Sequence, residues 1–100
     1  MADTKKITMT IIPADGAGEI EERTITECPA LEELQQLVGG YIELVKVRVN
    51  GRATEMVCDE DGERKQLTVN NRALDRIEAT ASYMPTLVGP VVIFSEPVLV

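Results

Sequence analysis

Asn50-Gly51 stands between two alternating runs, and no other feature of this chain restricts its fold so strongly. Both residues accept positive φ, which a two-residue type I′ hairpin turn requires. Ahead of the pair, Tyr41–Val49 places Val45, Val47 and Val49 on one side and Lys46 and Arg48 on the other. That period of two belongs to a strand with one face buried. The return strand is expected over about 52–59, followed by a turn at Asp59-Glu60-Asp61-Gly62 and a brief strand over about 65–69.

A second hairpin is expected near the N-terminus, over about 5–26. Ile7, Met9 and Ile11 alternate with Lys6, Thr8 and Thr10, Pro13 to Gly18 carry turn chemistry, and Ile20 and Ile25 anchor a return run. A short amphipathic helix follows over about 29–38, with Pro29 in its first turn and Leu31, Leu34, Leu37 and Val38 as its apolar stripe. Glu32 and Glu33 suit its N-terminal dipole, and Gly39-Gly40 ends it. Leu31, Leu34 and Leu37 are expected to dock it onto the sheet. Asn70 or Asn71 caps a second helix carrying Ala73, Leu74, Ile77 and Ala81, and a loop over Ser82–Thr86 leads to the apolar run Val91–Phe94, suited to a central strand.

This order predicts a single α+β domain over residues 1–100, a mixed or antiparallel sheet of about five to six strands with two helices packed on one face. With one Phe and no Trp, its core is aliphatic.

Composition removes several chemistries. There is no histidine, so a Ser-His-Asp triad, a Cys-His pair and a His-based metal site are excluded within this chain. Two cysteines are too few for a structural zinc or iron–sulfur site in a monomer. Cys58 lies beside acidic residues, which raise a thiol's pKa and make it a poor nucleophile. Asp59-x-Asp61-Gly62 fails as a calcium loop, because Val57 and Thr68 would occupy its first and last ligand positions. No cofactor and no metal are implied.

The net charge is −7, and residues 1–45 hold Lys5, Lys6 and Arg23 against nine acidic residues. Such a field disfavours direct nucleic-acid binding, which rests on clustered cations. The acidic front, Glu19 to Glu33, serves either solubility or a DNA-mimicking contact with a basic protein. The polar opening is unlike a signal peptide and no apolar run is long enough to span a membrane, so the expected setting is the cytoplasm, with reduced thiols.

The candidate site joins polar groups at element ends: Tyr41, Glu43, Asn70, Asn71, Arg72 and Arg76. Arg72 and Arg76, one helical turn apart, could form a fork for a phosphate or carboxylate. On the competing structural reading the asparagines cap the helix, Tyr41 packs with its hydroxyl outward, and Arg72 pairs with Asp75 or Asp59.

The segment from Leu31 to Glu43 resembles the L-x-x-L-Q-x-x-V-G-G-Y-I-E signature of a family of small domains of unknown function found in bacteriophages and mobile DNA. The likeness continues through Met56–Gly62, Leu67, Asn70, Arg72 and Ala73 to Val88-Gly89 and Val91–Ile93, about residues 29–94, with the leading hairpin outside it. It departs at Cys58, where asparagine is usual. The resemblance implies a phage accessory protein without established catalysis, working in the host cytoplasm. The reading is a non-catalytic binding domain that sequesters a host protein or a small anionic, nucleotide-like ligand, with a possible anti-defence role. A DNA-mimic inhibitor is the alternative, and a small enzyme a distant third. The apolar end Val98-Leu99-Val100 suggests a homodimer or higher homo-oligomer.

Overall fold

Both hairpins form where the alternation places them. β1 (Ile7–Ile12) pairs antiparallel with β2 (Glu21–Ile25), Ile7 opposite Ile25. β3 (Ile42–Val49) pairs antiparallel with β4 (Arg52–Asp59), closing through Asn50 at φ 52° and Gly51 at φ 77°. The structure is a computed structural model that describes residues 6–78 and 87–96.

The last strand, β5 (Val91–Phe94), inserts between the hairpins, antiparallel to β1 on one side and β4 on the other. The sheet order is therefore β2-β1-β5-β4-β3. All four residues of β5 are buried, which explains a run with no polar alternation. The domain is α+β, with five antiparallel strands and two helices among the described residues, α1 (Leu31–Val38) and α2 (Asn71–Leu74).

The helices do not share a face. Ile7, Met9, Ile11, Val57, Val92 and Phe94 project toward α1 and pack with its Leu34 and Val38. The alternate residues Ile12, Met56, Cys58, Val91 and Ile93 form a second cluster with Ala73 of α2 and Leu87. Side chains of successive strand residues point to opposite faces, so the two clusters are the two sides of one sheet. The central strands are apolar on both sides, and each side takes one helix.

Three local expectations are corrected. Pro29 lies outside α1, whose N-cap is Ala30, and Leu31 is 53% exposed. Leu34 and Val38, one turn apart, bury the helix, with Leu37 half-buried beside them. The strand over 65–69 is absent. Residues 61–66 instead wind a turn in which the Lys65 amide bonds the Asp61 carbonyl and Gln66 adopts φ 57°, leaving Val69 a single bridge to Val88. The second helix stops at Leu74. Ala81, the Ser82–Thr86 loop and Val98–Val100 lie outside the described residues.

Candidate functional site

Asn70, Asn71 and Arg72 open α2, and each is held by backbone or turn partners. Asn70 is fully buried: its Oδ1 accepts from the Ala73 amide at 3.0 Å, and its Nδ2 donates to the carbonyls of Ile12 and Gly89, both at 2.8 Å. Asn71 donates through Nδ2 to Asp15 at 2.8 Å, a bond that holds the Asp15 carboxyl below its ordinary range. The Arg72 guanidinium donates to the carbonyls of Gly18, Pro13 and Ala14 at 2.6, 2.8 and 2.7 Å. It pairs with neither Asp75 nor Asp59, and it forms no fork with Arg76, because its donors go to the β1–β2 turn. Asn71 and Arg72 thus latch α2 to that turn, while Asn70 ties it to the end of β1 and to Gly89, the structural role of the two alternatives.

Tyr41 and Glu43 belong elsewhere. Tyr41 is 69% exposed and lines a hollow with Gln35, Gly40, Asp61 and Lys65. Beneath it, Lys65 Nζ donates to Asp59 Oδ2 at 2.7 Å and to the Gly39 carbonyl at 3.3 Å, and the Asp61 amide donates to Asp59 Oδ1 at 2.8 Å. Burial opposes the charge on Asp59, yet Lys65 and the Asp61 amide outweigh it and hold the carboxyl below 3.8. Glu43 extends along β3 opposite Cys58. Burial first, then the Glu43 carboxylate, push the Cys58 thiol up to about 11, so it is unsuited to nucleophilic work.

Arg76 lines a different feature. A groove of about 380 Å³ opens on the α2 side of the sheet, bordered by Thr8, Thr10, Glu22, Val49, Asn50, Arg52, Arg76, Ile93, Phe94 and Ser95. Thr10 stands opposite both Glu22 and Ile93, and Thr8 opposite Thr24. Ser95 Oγ accepts from the Thr8 amide at 3.0 Å, and Thr54 Oγ1 donates to the Phe94 carbonyl at 2.6 Å. This face of the sheet is therefore apolar where α2 covers it and hydroxyl-rich where the groove lies. Among the described residues, the guanidiniums of Arg52 and Arg76 make no hydrogen bond and no ion pair.

The profile of the domain of unknown function DUF3846 matches residues 9–97. The chain belongs to the DUF3846 family. The match extends beyond the 29–94 stretch of the resemblance and takes in most of the leading hairpin. No curated protein and no solved structure matches significantly.

In this DUF3846 domain the G-G-Y-I-E segment has a packing explanation. Gly39 ends α1 at φ 89°, and a Cβ on Gly40 would lie 2.7 Å from Lys65 Nζ and 3.1 Å from Asp59 Oδ2. The acidic Glu21 and Glu33 flank Arg23, which bridges both, so the acidic front is partly neutralised. Among the described residues no group of His, Cys, Asp or Glu side chains could hold a metal ion, and no helix is long and apolar enough to cross a membrane. The groove residues Thr8, Thr10, Glu22, Arg52 and Ser95 were not singled out by sequence. Their one signal, threonines alternating with apolar residues in β1, is also that of a solvated face.

Proposed function

We propose that this DUF3846 domain is a non-catalytic binding protein that holds a small anionic ligand in the groove between β2, the β3–β4 turn and the residues after α2. One observation carries the reading: Arg52 and Arg76 border one groove with no partner among the described residues, in a chain of net charge −7. Unpaired guanidiniums over a hydroxyl-bearing floor supply charge-assisted donors to phosphate or carboxylate oxygens. Among the described residues Glu22 is the only carboxylate bordering the groove, beside the hydroxyls of Thr8, Thr10 and Ser95, and Cys58 lies off its rim. Stoichiometric capture of a metabolite or signalling molecule of the host, by a protein encoded on a phage or mobile element, is the setting the family resemblance supports.

Isothermal titration with inorganic phosphate and pyrophosphate tests the reading. Saturable binding is expected, weakened about tenfold or more by Arg52→Ala or Arg76→Ala, the loss of one charge-assisted contact, and the ligand should be recovered unchanged. Binding that survives the double variant, or none at low salt, overturns the assignment.

A further inference from the structure

We infer that the ligand is a phosphorylated sugar or polyol, an inference that rests on the anion-binding role proposed above. Glu22 is the reason. A carboxylate in an anion site repels a bare phosphate, and it gains an interaction only if the ligand also brings hydrogen-bond donors. Glu22 stands directly opposite Thr10 across the β2–β1 pair, which places their Cβ atoms about 5 Å apart on one face. Thr8 lies two residues before Thr10 in the same strand and so shares that face.

The groove therefore has two chemically distinct sides. Arg52, in the strand after the β3–β4 turn, and Arg76, after α2, offer positive charge. Glu22 with Thr10 and Thr8 offers acceptors and hydroxyls suited to a ligand's own hydroxyl groups. Ile93, between them on the floor, is opposite Thr10 on its other side and suits the C–H face of a sugar ring. The volume, about 380 Å³, falls at the small end of ligand sites, where sugar phosphates fit.

The test is calorimetric titration of the full chain with inorganic phosphate, ribose 5-phosphate and adenosine 5′-monophosphate, with Glu22→Gln alongside. Glu22 is exposed on an edge strand, and an unchanged melting temperature certifies that variant's fold. Ribose 5-phosphate is expected to bind about tenfold or more tighter than phosphate, the worth of hydrogen bonds to a charged acceptor. Glu22→Gln should erase that advantage while leaving phosphate affinity unchanged or raised. Equal affinity for the two, or an advantage that survives Glu22→Gln, overturns the inference but leaves the anion site standing. Failure of every anion to bind removes both. Adenosine 5′-monophosphate binding tighter than ribose 5-phosphate assigns the sugar phosphate to a nucleotide, and equal or weaker binding to a free one.

Discussion

The Lys65 ammonium lies 2.7 Å from Oδ2 of Asp59, whose side chain is 1% exposed. That ion pair joins the end of β4 to the end of α1, because Lys65 also reaches the Gly39 carbonyl. It converts a charged turn into a tertiary clasp.

Lys65→Met leaves a buried carboxylate with the Asp61 amide alone. Loss of one partner of a buried pair costs about 3–5 kcal/mol, and with Lys65 37% exposed the expected loss is about 2–3 kcal/mol in urea unfolding. The sign in pH follows from the lowered pKa. The pair's contribution is complete above 3.8 and is lost as pH falls through the still lower folded value. In the variant, acid unfolding should begin at higher pH, read by circular dichroism.

Gly40→Ala should be destabilising through the same pair, since its new Cβ would displace the Lys65 ammonium. The backbone at Gly40 is not in the left-handed region, so space is the whole difficulty. A double-mutant cycle with Lys65→Ala should recover about 1 kcal/mol or more of coupling, because the truncated side chain vacates the position. Strict additivity would remove the clasp as the reason for that glycine.

Asn70→Asp exchanges two donated bonds for repulsion between a carboxylate and the Ile12 and Gly89 carbonyls, at a site with no exposure. A loss of about 3 kcal/mol or more is expected. Arg72→Lys should fail to restore an Arg72→Ala loss, since one ammonium is a poor match to three carbonyls spread over Pro13, Ala14 and Gly18. Hydrogen exchange should then rise at the Asp15 and Ala17 amides, which bond Val69 and Ala14 in the intact turn.

Thiol titration separates the two cysteines. Cys28 is exposed and Cys58 buried, so native protein at pH 8 should react with one equivalent of a disulfide reagent, and denatured protein with two. Because the Cys58 thiol is raised from 9.0 to about 11, the folded state holds its proton longer than the unfolded chain. Stability should therefore fall as pH rises from 9 toward 11, and Cys58→Ala should flatten that fall in thermal melts.

Much of the fold was legible because its signals are local. Asn50-Gly51 dictates a turn through positive φ, and Gly39 ends a helix the same way. Leu34 and Val38 share a helical face by spacing alone. The lost strand over 65–69 shows the limit. Its few apolar residues compete with a turn closed by Lys65, which bonds Asp59, six residues away in sequence, and the Gly39 carbonyl at the end of α1. Tyr41, Glu43 and Arg72 group together in the linear sequence because residues at element ends carry no local sign of their partners. Folding separates Tyr41 from Arg72 and gives Arg72 three carbonyls.

By itself the amino-acid string determined the hairpins, the first helix and the absence of histidine chemistry, all properties set by neighbouring residues or by composition. Only the tertiary structure decided that β5 would join the hairpins, that the helices would take opposite faces, and that Arg52 and Arg76 would border one groove. Those outcomes depend on which residues meet across the sheet, and residues 24 positions apart carry no local trace of meeting.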